Sequence, residues 1–93
     1  MINKKILKLR KKLDKLDNSM LRIIKRRSLL VDQVLKNKKY KKEIVDKKRI
    51  AVILKNIRKK SISKKIDPKI TKKVWTSMIN AFIDFEYRNF KKD

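Results

Sequence analysis

From Ile6 onward the apolar residues recur every three or four positions: Ile6, Leu9, Leu13, Leu16, Met20 and Ile23. That spacing places them on one face of a helix. The next position in the rhythm holds Arg27. The stripe then resumes at Leu30 and Val34, and one turn further on the same face meets Lys38. A stripe that faces a core does not carry two cations unless their heads reach water or meet something anionic. The periodic segment runs from about Lys4 to Asn37 with no Gly or Pro to break it. At ~1.5 Å per residue such a helix is roughly 50 Å long. A domain of this size cannot cover it, so it must protrude or pair with another copy of itself.

The polar, lysine-dense stretch Asn37 to Glu43 reads as a loop. A second helical segment begins near Ile44 to Asp46 and runs to about Lys60, with Ile50, Ile53, Leu54 and Ile57 as its apolar set and Asp46 as its cap or in its first turn. Ser61 to Ile66 reads as a connection. Asp67-Pro68 is a helix start, with Asp at the cap and Pro at the first helical position. The third helix extends to about Phe90. Ile70, Val74, Met78, Phe82 and Phe85 share one face, with Trp75, Ile79 and Glu86 beside them. The expected fold is all-α, three helices per chain in one domain over residues 1–93, with a very long first helix.

Composition narrows the chemistry. The 93 residues contain no Cys, no His and no Gly. Disulfides, thiolate chemistry, the usual zinc and haem ligands, and glycine-rich phosphate loops are thereby set aside. No cofactor and no metal are expected. The net charge is +22, yet Lys outnumbers Arg by 24 to 7 and is spread along the whole chain. Nucleic-acid readers concentrate Arg and expose stacking aromatics. Compositional bias therefore accounts for the charge better than nucleic-acid binding does, although the field draws in small anions either way. No apolar run approaches the roughly 20 residues that span a bilayer. Met1 to Leu9 lacks the long apolar stretch of a signal peptide, so a soluble, cytoplasmic protein with no membrane partner is expected.

The polar residues on or beside apolar faces are the candidates for function. Arg27 and Lys38 share a face three turns apart, and their long side chains either converge on an anion or run out to solvent. Arg49 follows Asp46 by three residues, which is also the spacing of an ordinary exposed pair. Glu86, one of only two Glu residues, either pairs with one of many lysines or sits in an apolar pocket that keeps it partly protonated and able to donate. Arg10 is roughly 25 Å from Arg27 along the first helix. The two cannot hold one small ligand within a chain, but in an antiparallel pair of first helices Arg10 of one chain approaches Arg27 of the other. Several cations and one carboxyl, with no nucleophile or base, suit the binding of a compact dianion and the stabilisation of charge that separates in a transition state.

In order and spacing these residues resemble the all-helical chorismate mutases. Leu9-Arg10 through Leu13-Asp14 and Leu16-Asp17 is similar to the opening of their first helix. Arg26-Arg27 with Val34 and Lys38 is similar to their R…V…K stretch, and Val45-Asp46-Lys47-Lys48-Arg49 to their D-x-x-R turn. Ile66-Asp67-Pro68 and the stretch from Met78 to Glu86 match the third helix. The resemblance implies an intertwined homodimer that converts chorismate to prephenate in phenylalanine and tyrosine biosynthesis. By it, Arg10 reaches into the partner's site and Arg27 binds a substrate carboxylate. Lys38 sits at the ether oxygen and a carboxylate, and Arg49 and Asp46 line the pocket. Glu86 donates to the ether oxygen and must carry a proton to do so. Two positions depart from the pattern. Ile50 stands where many members have Glu, and Phe82 where a Ser is usual. Both substitutions resemble the related isochorismate pyruvate lyases, which makes salicylate and pyruvate formation the alternative activity. A non-enzymatic, basic helical nucleic-acid-binding protein is the second alternative.

Overall fold

A computed structural model describes residues 3–91. It contains three α-helices, α1 (Lys4–Lys36), α2 (Lys47–Ser63) and α3 (Pro68–Asn89), with a short 3-10 turn at Lys41–Glu43 between the first two. There is no strand among the described residues. The first helix is one unbroken element of 33 residues. Asn3 starts it by accepting the Ile6 amide on Oδ1 at 2.9 Å, which satisfies one of the donors a helix N-terminus leaves open. Its mid-helix serines do not interrupt it. The Ser28 hydroxyl donates to the Ile24 carbonyl one turn back at 2.9 Å, a local bond that lets Ser sit inside a helix. No described helix is long and apolar enough to cross a membrane.

The chain divides into two compact units within α1, one ending at Val31 and one starting at Asp32. In the first unit the apolar stripe is uncovered. Leu9 and Leu13 are each 57% exposed, Leu16 60% and Ile23 61%. The second unit holds the two buried apolar residues among those described, Leu35 and Ile44. Burying each contributes about 1.5–3 kcal/mol. In this unit α2 packs against α3, with Ile50, Ile53, Leu54, Ile57, Trp75 and Met78 half-buried.

Two details differ from the sequence reading. Ser61 to Ile66 is not all connection: α2 runs on through Ser63. Ser61 is buried there, its hydroxyl donating to the Ile57 carbonyl at 2.6 Å and lying 2.7 Å from the Thr71 hydroxyl of α3. This polar bridge between two helices pairs hydroxyls that would each cost about 1–3 kcal/mol if buried alone. On α3 the burial follows the bridge. Thr71 is buried, whereas Ile70 and Val74, both on the predicted apolar face, are exposed.

The α2–α3 corner closes without glycine. The Ile66 amide donates to the Ser61 carbonyl at 2.8 Å and the Lys65 amide to the Ile62 carbonyl at 3.1 Å. These two bonds form a Schellman end, whose pivot takes the left-handed conformation usually given to Gly. Here the pivot is Lys65, with φ of 59°. A side chain at such a position costs roughly 1 kcal/mol. Lys65→Gly is therefore expected to raise the stability measured by urea unfolding by about 0.5–1 kcal/mol, the gain being trimmed by the freedom Gly adds to the unfolded chain. A loss of stability would show that Lys65 makes contacts worth more than its strain.

Candidate functional site

Of the residues expected to form a site, those in the second unit lie on the segment that leaves α1, at the start of α2 and on α3. The helix ends tightly, with the Lys38 amide bonded to the Leu35 carbonyl at 3.0 Å. Lys38 thereby follows buried Leu35 by one turn. Its ammonium donates to Glu86 Oε1 of α3 at 2.7 Å. The two side chains are only 18% and 8% exposed. A charge-assisted bond at this length and burial is among the stronger polar contacts a protein makes, and losing either partner leaves a costly buried charge. The sequence placed Glu86 either beside a lysine or in an apolar pocket as a donor. The structure shows the first: Glu86 accepts from Lys38.

The turn that carries Lys38 is organised by Glu43, a residue the pattern reading did not single out. Glu43 Oε2 accepts the backbone amides of both Lys39 and Tyr40, each at 2.7 Å. The Tyr40 amide does most to hold the Glu43 carboxyl below its ordinary range; desolvation opposes it, and the Lys39 amide and the nearby Lys38 and Lys42 charges add to the lowering. The Lys41 ammonium lies 5.9 Å from the centre of the Tyr87 ring, next to Glu86 on α3, a cation–π contact of about 0.5–1 kcal/mol. The available signal was that Glu43 is the one acidic residue between Asp32 and Asp46, set among lysines.

Asp46 caps α2. Its Oδ1 accepts the Arg49 amide at 2.9 Å, the geometry expected of Asp at this position. The Arg49 side chain is exposed in the first turn, and Ile50 beside it is half-buried. On α3, Phe82 is half-buried one turn before Glu86. Lys38, Asp46, Arg49, Ile50, Phe82 and Glu86 thus all belong to the second unit, and across it the Lys38 ammonium meets Glu86. Arg10 and Arg27 belong to the first unit, where Arg10 is exposed and Arg27 half-buried on α1. The groove between α2 and α3, lined by Leu54, Ile57, Arg58 and Thr71 among others, contains none of the expected site residues. Among the described residues no cluster of three or more acidic side chains is placed to hold a metal ion.

What this arrangement can do chemically is limited and specific. It presents a largely buried cation and a carboxyl group at hydrogen-bond distance. That is equipment for binding anionic groups and stabilising developing charge. No curated protein and no solved structure matches the chain. A sequence model of the family described as chorismate mutase type II matches residues 9–87, a span that takes in Arg10, Arg27, Lys38, Asp46, Arg49, Ile50, Phe82 and Glu86. The chain therefore belongs to the chorismate mutase type II family.

Proposed function

We propose that the protein rearranges chorismate to prephenate as a homodimer with two equivalent sites. The observation that carries this reading is the Lys38–Glu86 contact at 2.7 Å across 48 positions of sequence. These are the two groups which the family resemblance assigns to the ether oxygen of the substrate. In the reaction the ether C–O bond to the ring breaks while the methylene of the enolpyruvyl side chain forms a new C–C bond to the ring. No atom is gained or lost and no proton need be transferred. Negative charge builds on the ether oxygen as its bond lengthens, so a cation and a neutral donor placed there lower the barrier.

Each remaining residue has a role under this reading. Arg27 binds a substrate carboxylate, and Arg49 and Asp46 line the pocket, with Asp46 near the ring hydroxyl. Ile50 and Phe82 supply apolar walls where other members carry polar contacts. Arg10 is contributed by the second chain. The uncovered stripe on α1 supports the dimer, because a row of exposed Leu, Ile and Met side chains along one helix face is the kind of surface that association removes from water. Under this reading Lys38 and Glu86 both address the ether oxygen, Lys38 as the cation and Glu86, in its carboxylic acid form, as the donor. No cofactor has a part in this scheme.

The reading is tested by incubating the purified protein with chorismate and, separately, with isochorismate. Prephenate from the first is expected. Salicylate and pyruvate from the second, with no prephenate from the first, would transfer the assignment to the lyase that Ile50 and Phe82 favour. Failure of both, with tight and steeply salt-dependent duplex binding, would favour the nucleic-acid reading. Lys38→Ala and Arg27→Ala are each expected to lower kcat/KM by about 10²-fold or more while the protein stays dimeric by analytical ultracentrifugation. Near-full activity in either variant, or a monomeric wild type, sinks the assignment. Glu86→Gln, whose amide can donate to the ether oxygen, is expected to keep kcat/KM within about tenfold of wild type, whereas Glu86→Ala is expected to lose about 10²-fold or more.

A further inference from the structure

The ten residues that join α1 to α2 contain neither Gly nor Pro, and five of them are lysines or the lysine-flanked Tyr40 in the run Lys38-Lys39-Tyr40-Lys41-Lys42. Like charges so close in sequence favour an open, solvated chain over a tight turn. The turn is nonetheless tight. The Glu43 amide returns to the Tyr40 carbonyl at 3.0 Å and the Ile44 amide to the Lys41 carbonyl at 3.1 Å. Ile44 is then 3% exposed, the most fully buried apolar residue described. The Glu43 carboxylate closes the other side of the ring. One oxygen, Oε2, takes the amides of Lys39 and Tyr40 together, which fixes the backbone of the residue directly after Lys38.

From this geometry we propose that Glu43 is a positioning residue for the site: by clamping the Lys39 and Tyr40 amides it sets the direction in which Lys38 leaves the chain and so presents the Lys38 ammonium to Glu86 and to the substrate. The proposal rests on the function proposed above for that site. Glu43 does not touch substrate and acts through Lys38 alone. A Lys side chain has four rotatable bonds, and unless its backbone is held the ammonium samples many positions away from Glu86. Leu35, one turn before, and Ile44, after the turn, anchor the two ends of the segment. Glu43 is what orders its middle.

Three variants separate geometry from charge. Glu43→Gln removes the charge, but its amide oxygen keeps both acceptor positions, because both bonds end on a single oxygen. Glu43→Asp keeps the charge but is too short to reach both amides. Glu43→Ala removes both. The expected result is kcat/KM within about threefold of wild type for Glu43→Gln and a loss of about tenfold or more, mainly in kcat, for Glu43→Asp and Glu43→Ala. A loss in Glu43→Gln as large as in Glu43→Ala, or none in any variant, overturns the proposal. A second readout needs no turnover. In the intact protein, NMR is expected to show faster exchange of the Lys39 and Tyr40 amides in Glu43→Ala, together with a changed Glu86 side-chain carboxyl shift as Lys38 leaves it. An unchanged Glu86 signal overturns the proposal whatever the activity. If the wild type turns over no chorismate, the functional reading fails, and the NMR comparison by itself decides the role of Glu43. Glu43 is exposed, so the helices are expected to persist in all three variants, as circular dichroism would verify.

Discussion

The bond from Lys38 to Glu86 ties the turn after the long helix to the last helix of the chain, and the second unit is arranged around it. Two opposite charges are held at 2.7 Å with little access to water. Desolvation of such a pair costs several kcal/mol per ion, which its own attraction recovers only if the geometry is held well. The holding is visible. Leu35 and Ile44, the buried apolar residues, lie on either side of Lys38 in the chain, and each contributes about 1.5–3 kcal/mol. On the far side α3 is fixed against α2 by the bridge between Ser61 and Thr71. The contrast with Asp32 and Lys36 is instructive. That pair, 3.1 Å apart on one helix face with Lys36 75% exposed, contributes a few tenths of a kcal/mol at most.

A chain without His or Cys has few ways to do covalent or proton-transfer chemistry. Under the proposed function that apparent poverty is no obstacle, because a rearrangement within one molecule needs restraint and charge stabilisation rather than a nucleophile. Under the proposed function the high positive charge has a simple consequence: a dianionic substrate is drawn toward any part of this surface, and the site selects it by the geometry of a few cations rather than by charge alone. The same reading gives the long helix its reason. A helix of 33 residues carries Arg10 and Arg27 too far apart for one small ligand, and only a second copy brings such residues to a common site.

Legibility in the sequence varied with the range of the forces involved. The helices were readable because spacing, caps and breakers act locally: Asn37 marked the end of α1 within a residue, and Asp46 and Asp67-Pro68 marked the starts of α2 and α3. The end of α2 was misjudged because two serines look like a connection until Thr71 of another helix supplies a partner for one of them. Lys65 was equally unmarked, since the rule that reads Gly as a helix stop is silent in a chain that has none. Glu43 escaped notice because its partners are backbone amides, which every residue possesses and no pattern displays.

By itself the sequence determined the all-helical class, the length of α1, the absence of thiol and imidazole chemistry, and the set of cations on which any function must draw. These follow from side-chain type and from periodicities within a few turns. The tertiary structure decided which of 24 lysines meets Glu86, and that Glu86 accepts from it. It also decided which of the α3 positions are buried. Those outcomes depend on where the backbone brings residues 48 apart in sequence, and a charge, however conspicuous in a sequence, carries no information about its partner until the chain has folded.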